Sequence, residues 1–473
     1  MKIDMLQRRK FLGSLAASGL MHAVGSSPVT PFVQTGDSSP RFTDYKALVC
    51  VFLLGGNDSW NMVVPLSDAE YGAYFKSRGG GTSSSLAIPR EDLLAVTRND
   101  FLSKNLPYGF HPNLSGLHQL FTDGRLAIVP NVGPLTRPIS KDQFLGMSSD
   151  SKDLPPQLFS HFDQVEQWAS LRGRFLLRSG WGGRISDLFA RNLGTQQIPI
   201  NVSLYGQSLF QTPNDSDQYV MGQGGVEFPG GLGAQDDGER RRSIALSIFD
   251  QTLQSGGISF YERGYARVQQ RAIGYAELIG RVLSGARETQ AFSKFSDSSG
   301  LSAQLRTVAK LISQRNSLSM SRQIFYVGIG GFDTHDRHLE DHARLLTELS
   351  RALRVFHDAT VELGVADQVT LFTQSDFGRT LTSNGDGSDH GWGGMQFVVG
   401  GAVKGGQFYG EYPSLAMDGP QTLPLGGAML PTVSADQYAA TIAKWFGVPQ
   451  QSLPSVAPNL ENFSQWDLGF MTA

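Results

Sequence analysis

Ala47-Leu48-Val49-Cys50-Val51-Phe52-Leu53-Leu54-Gly55-Gly56-Asn57-Asp58 decides how the rest of the chain is read. A strand with one face in water alternates apolar and polar side chains. A strand covered on both faces reads as an unbroken apolar run. Ala47 to Leu54 is such a run, and it predicts a central strand of a parallel sheet with helices packed on both sides. The two glycines end it. They leave Asn57 and Asp58 at its carboxyl end, the edge at which open α/β sheets bind ligands.

Working outward, the same reading finds strands at Leu126–Val129, Ile198–Val202, Gln323–Val327, Val369–Thr373 and Gln396–Val399. Helical patterns lie between them. The clearest runs from His338 to Leu363, where Leu345, Leu346, Leu349, Leu353 and Phe356 form one apolar stripe. Strands alternating with helices predict an α/β fold with a mostly parallel central sheet and helices on both faces. Residues 46–473 are expected to form one domain. Gly79-Gly80-Gly81 and the serines after it make 72–105 read as a mobile loop. A Gly-, Gln- and Asp-rich stretch at 206–240, followed by a helical one, reads as an insertion at about 206–320 packed beside the sheet.

The 473 residues are 40% hydrophobic and 18% charged, values of a folded globular chain. A net charge of −3 offers no basic excess for nucleic acid. The single cysteine, Cys50, lies inside the apolar run. It excludes an intrachain disulfide and a Cys-built zinc site, and reads as a buried structural thiol. At the start of the chain Arg8-Arg9-Lys10-Phe11-Leu12 precedes a modest apolar stretch to Val24 and small residues at 23–27. That order is expected of a twin-arginine signal peptide over 1–27, with a short uncleaved N-terminal anchor as the alternative reading, followed by a Ser/Pro/Thr-rich linker over 28–45. It predicts export to the periplasm or beyond, with the twin-arginine translocase as a partner and no membrane span after cleavage. This route carries folded proteins, which suits a chain that takes up a metal first.

The residues that carry chemistry cluster at predicted strand ends. Asp58 follows the first strand. Asp333 and His335 follow the strand ending near Val327. Asp376 and Arg379 follow Val369–Thr373. Asp389 and His390 lie in the loop before Gln396. Carboxylates and imidazoles gathered this way suit zinc, manganese or iron, and calcium or magnesium where carboxylates dominate. Each residue also has a plainer reading: Asp58 and Asp333 as helix caps, Asp376 and Arg379 as an ion pair, Arg184 as a structural cation. Phe159-Ser160-His161-Phe162-Asp163 offers a hydroxyl beside an imidazole, but lacks the Gly-x-Ser-x-Gly elbow of an α/β-hydrolase. Gly222-Gln223-Gly224-Gly225 is no dinucleotide fingerprint, since Glu227 stands where the last glycine belongs.

Val51 to Asp58, Ser160-His161-Phe162, Gly180-Trp181-Gly182-Gly183-Arg184, Phe332-Asp333-Thr334-His335, Ser375 to Thr380 and Asp389-His390-Gly391 occur together in this order. In this the chain resembles the uncharacterised bacterial family numbered 1501 among domains of unknown function, over nearly the whole mature length. That family is in turn similar to the alkaline-phosphatase-like superfamily of phosphatases, sulfatases and phosphodiesterases. The resemblance implies an alkaline-phosphatase-like fold and a two-metal site that hydrolyses a phosphate or sulfate ester of a small molecule or a polymer. It places metal ligands at Asp58, Asp333, His335, Asp376, Asp389 and His390, a nucleophile at Ser160 and an oxygen-binding cation at Arg379. The ions it implies are zinc or manganese, with calcium or magnesium as alternatives.

The match has gaps. Asp333 and His335 stand closer than the superfamily spacing, and Phe377 occupies the place of a ligand His after Asp376. If Asp389-His390 is instead the Asp-His pair, the final His is missing. The Cys/Ser-x-Pro-x-Arg motif of formylglycine sulfatases is absent. The alternative implied by the missing ligand is a degenerate member of the fold that binds or assembles at the cell envelope.

Overall fold

The computed structural model describes residues 42–96, 107–173, 178–190, 196–226, 247, 251, 260–286 and 288–472. The stretch read as a signal peptide, nearly all of that read as a linker and much of 227–259 lie outside the described residues. Strands are numbered in chain order. β1 (Lys46–Leu54) sits in the middle of a nine-stranded sheet, between β8 (Arg322–Gly330) and β9 (Val369–Ser375), parallel to both. Beyond β8 come β6 (Asn201–Ser203) and β7 (Gln218–Val220), also parallel. Beyond β9 come β12 (Gly394–Gly400) and β5 (Leu126–Gly133), and β5 pairs with β13 (Gln407–Phe408) and β14 (Val433–Ser434). Among the described strands of this sheet, only β12 runs against its neighbours. The expected mostly parallel α/β sheet is therefore the one found. β7 falls within the stretch read as an insertion, and adds a strand to the sheet itself.

The unbroken apolar run of β1 has a direct cause. Ala47, Val49, Val51 and Leu53 pack with Leu345, Leu346, Leu349 and Leu353 of the helix His338–Glu362. Leu48, Cys50 and Phe52 point to the other face, against Trp181, Tyr438 and Phe446 from the helices Trp181–Phe189 and Ala435–Phe446. With both faces in the core, no position on the strand is left for a polar side chain. Cys50 is fully buried, with its thiol 3.5 Å from Gln374 Oε1.

Two small sheets complete the frame. β2 (Val63–Pro65), β3 (Leu94–Ala95) and β4 (Tyr108–Phe110) form one, with β4 in the middle. β10 (Arg379–Ser383) and β11 (Ser388–His390) form a hairpin that sets Arg379 opposite His390. The stretch at 72–105 begins inside the helix Asp68–Ser77, and the next residue, Arg78, is completely buried. Its polar, glycine-rich composition reflects a turn that carries this arginine inward; residues 97–106 lie outside the described residues. Among the described residues no helix is long and apolar enough to cross a membrane.

Candidate metal centre

Strands β1, β8 and β9 end side by side, Leu54 opposite Gly330 and Leu53 opposite Ser375. The loops that follow therefore meet at one edge. Gly55 (φ +117°) makes the approach possible, because a Cβ there would lie 2.3 Å from Asp333 N.

Four side chains converge at this edge. Asp333 Oδ1 lies 3.0 Å from His335 Nε2 and 3.4 Å from His390 Nε2, and Asp333 Oδ2 lies 3.4 Å from His161 Nε2. His335 Nε2 and His390 Nε2 are 3.0 Å apart. Each imidazole is fixed through its other nitrogen. His161 Nδ1 donates to Asp376 Oδ2 at 2.7 Å. His390 Nδ1 donates to the carbonyl of Phe159 at 2.8 Å. His335 Nδ1 faces Asp389 Oδ1 at 3.4 Å, and Asn384 donates to the same oxygen at 2.8 Å. Phe159 holds its carbonyl in place with φ +72°, a conformation a non-glycine residue adopts only where its surroundings impose it.

Bonds to Asp376 and to the Phe159 carbonyl put the protons of His161 and His390 on Nδ1 and leave their Nε2 lone pairs facing inward; Asn384 Nδ2 donates to His335 Nδ1 at 3.4 Å, so the His335 proton is on Nε2 and points to His390 Nε2. Two lone pairs 3.0 Å apart repel unless a proton or a cation stands between them. His161 Nε2 is buried and accepts no hydrogen bond. Donor atoms of His161, Asp333 and His390 all lie within 4.8 Å of one another. Three imidazoles and a carboxylate, each imidazole braced by an outer hydrogen bond, match the donor chemistry of a divalent transition-metal site.

The charges are tuned to the same end. The hydrogen bond that His161 donates to Asp376 raises the pKa of this imidazole against the effect of its burial. Desolvation lowers that of His390. Burial would raise the Asp333 carboxyl, but the Arg379 guanidinium outweighs it and holds it below the usual carboxylate value.

The other residues singled out in the sequence are placed around this group. Asp376 is buried and receives Gly55 N at 3.1 Å, so both of its oxygens bind protein donors. Asp389 braces His335. Arg379 is fully buried and spends its donors on Asp333 Oδ1 (3.0 Å), Gly55 O (3.0 Å) and Ser388 (3.1 Å). Ser160 caps the helix His161–Ser170 and donates to Asp163 Oδ2 at 2.6 Å. Arg184 binds the carbonyls of Ser170, Ser179 and Val456 beneath that helix. Phe377, in the place of an expected ligand His, lays its ring against His161 and His390 with centroids 4.8 and 4.7 Å away.

Asp58 belongs to a second, buried group. Its Oδ1 accepts Trp60 N at 3.2 Å, and its Oδ2 binds Arg78 Nη2 and accepts from His338 Nε2 at 2.7 Å. Burial works against ionisation of this carboxyl, yet Arg78 and His338 hold its pKa far below the usual range. His342 stands one turn beyond His338 and donates to Asn57 Oδ1 at 3.0 Å. Reading the sequence did not mark His161 as a ligand, nor Arg78, His338 or His342 as site residues. His338 and His342 carried a usable signal, since i and i+4 share one helix face. Arg78 carried none.

These features define an α/β protein with a histidine-rich group of candidate metal ligands at the carboxyl edge of its sheet. The chain belongs to the family described as protein of unknown function DUF1501, whose model matches residues 45–424. None of the curated proteins compared matches it. Among solved structures it is similar to Ps i-CgsB, at 9% identity and a TM-score of 0.35, covering 88% of this chain and 77% of that one. It is also similar to the lipoteichoic acid synthase LtaP from Listeria monocytogenes, at 9% identity and a TM-score of 0.31, covering 88% and 76%. A third similar structure is a Bacteroides thetaiotaomicron protein of glycosaminoglycan metabolism, at 11% identity and a TM-score of 0.34, covering 88% and 74%.

Proposed function

We propose that the chain is an exported, metal-dependent hydrolase of a phosphate or sulfate ester of a small molecule or polymer, with its ion held by His161, Asp333, His335 and His390. The observation that carries this reading is the convergence of three imidazole Nε2 atoms on one carboxylate, two of these nitrogens 3.0 Å apart. An N-rich set of this kind favours zinc, then manganese, over calcium or magnesium. Bound there, the ion would supply Lewis acidity toward an ester oxygen.

The chain's own residues do the rest. Asp376 orients His161 and raises its basicity. Arg379 holds Asp333 ionised and aimed inward. Phe377 keeps water from the back of two imidazoles. Asp58 has no part in holding this ion, and Asp376 and Asp389 act through the histidines they touch. Export by the twin-arginine translocase rests on Arg8-Arg9 and the apolar stretch after them.

A second reading, a non-catalytic envelope protein that keeps the ion for stability, draws on one observation. The Ser160 hydroxyl and the Arg379 donors are committed to the protein itself, so neither is free for a substrate. One experiment separates the readings. The metal content of the mature protein is measured beside a His335→Ala/His390→Ala double variant, followed by a screen of phosphate and sulfate esters. Bound ion with turnover, both lost in the variant, supports the hydrolase. Bound ion with no turnover of any ester supports the second reading, and no ion in the folded protein, even with zinc and manganese supplied, removes both.

A further inference from the structure

We infer that the chain binds one ion rather than two, and that the Arg78 guanidinium is the fixed positive charge where a second ion would sit. The inference rests on the metal reading proposed above. By residue type, Asp58, His338 and His342 make a second ligand set, with donor atoms within 4.8 Å of one another. Their hydrogen bonds argue against that use. Asp58 spends Oδ2 on Arg78 and His338 and Oδ1 on Trp60 N. Asp58, Arg78 and His338 are all completely buried. A dication added there would meet a guanidinium already seated on its only carboxylate, with no water to screen the repulsion.

The fixed charge also positions the open site. Arg78 Nη1 donates to the carbonyls of Thr380 (3.0 Å) and Leu381 (3.2 Å), next to Arg379 on β10, whose partner strand ends at His390. On its other side Arg78 holds Asp58, Asp58 holds His338, and His338 Nδ1 meets Thr334 Oγ1 at 2.7 Å. Thr334 stands between Asp333 and His335. One buried cation therefore ties together the two segments that carry Asp333, His335 and His390. A mobile second ion could not do this before metal is loaded.

The test is an ion count by native mass spectrometry on the metal-free mature chain titrated with excess zinc. Affinity is then read by chelator competition, and coordination by the visible spectrum of the cobalt-substituted form. One zinc per chain is expected in the wild type. Asp58→Asn should keep the count at one, with zinc bound about 10- to 100-fold more weakly and the cobalt bands shifted. If that variant does not fold, Thr334→Val cuts the same link at its far end with the charges left in place. Two ions in the wild type would overturn this inference and leave the metal reading standing; no ion would overturn both. Unchanged affinity and spectrum in the folded variant would remove the positioning role.

Discussion

At the open edge, Asp333 is 46% exposed and gathers three imidazole nitrogens; three residues past His335, His338 turns inward to Asp58, which is 0% exposed and already carries a guanidinium. Both groups are built on histidines around an aspartate, and the segment after β8 contributes to each: Asp333 and His335 to the open one, His338 to the buried one. What separates them is water. A carboxylate sealed in the core has to receive its counter-charge from the chain itself, because an unpaired buried charge is too costly to fold around. A half-exposed carboxylate is under no such demand. It can face lone pairs that an exchangeable ion fills later. The buried group is closed by the chain's own charges, and the open group is the one proposed to take an ion.

The comparison breaks most sharply at the ligands of the open group. Asp333→Asn or His390→Ala should abolish stoichiometric metal binding. If the chain is a hydrolase, turnover should fall at least about a hundredfold, since the ion is asked for several kcal/mol of charge stabilisation. Compared metal-free, His390→Ala should melt within a few degrees of the wild type, because its side chain is partly exposed, whereas Asp333→Asn should lose more, since it takes a carboxylate from the buried Arg379 guanidinium. Elemental analysis, an ester assay and a thermal melt check the three parts. A large loss of metal-free stability in His390→Ala would mean that the open group is structural after all.

The inward group should show the reverse. Arg78→Ala leaves the Asp58 charge buried with only His338 beside it, and removal of one partner of such a pair costs about 3–5 kcal/mol. Denaturant unfolding should register that loss whether or not metal is present. A change below about 1 kcal/mol would show that the pair is already solvated.

A third acid, Asp436, sharpens the rule that a buried carboxylate needs a cation in contact. It is 1% exposed and accepts hydrogen bonds from Asn459 and Ser434, but among the described residues no cation forms an ion pair with it. Burial pushes its pKa up to about 7, where Asp58 is pushed down. A folded value raised above the unfolded one makes stability fully present below about pH 4, with loss as pH rises through 7. Wild-type stability should therefore decline by a few kcal/mol over that range through this group, and Asp436→Asn should flatten that part of the profile. Denaturant midpoints at a series of pH values read the difference directly. An identical slope in both proteins would show that Asp436 ionises freely.

Much of this was legible in the sequence, for physical reasons that also mark where reading stops. The run from Ala47 to Leu54 revealed a doubly covered strand because covering leaves a trace at every position. Asp333, His335 and His390 stood out because they follow strands whose carboxyl ends meet. Periodicity finds strands without giving their direction, so the reversal of β12 left no mark. Proximity to a strand end does not tell which atom points inward. Asp376, Asp389 and Arg379 thus looked like ligands or a substrate clamp, while the structure shows them bracing other residues. Phe377 read as a gap in a motif, and its ring forms the wall behind two imidazoles. Arg78 was beyond reach: it sits among glycines and serines, and its partners lie 20 residues away at Asp58 and 302 away at Thr380.

The smallest effect concerns Ser160, and it bears on which group acts on substrate. Its hydroxyl donates to Asp163 at 2.6 Å and caps the helix whose first residue is His161. A cap contributes about 0.5–2 kcal/mol. Ser160→Ala should cost that much stability, and Ser160→Asn, which can cap the same helix and still donate to Asp163, should restore most of it. If the hydroxyl serves only as a cap, both variants keep zinc affinity and any ester turnover within a few-fold of the wild type. If it is the nucleophile, both lose turnover while keeping the ion, because an asparagine that restores the cap cannot restore the hydroxyl. The pair therefore separates holding His161 in place from attacking an ester, and the bond to Asp163 favours the first.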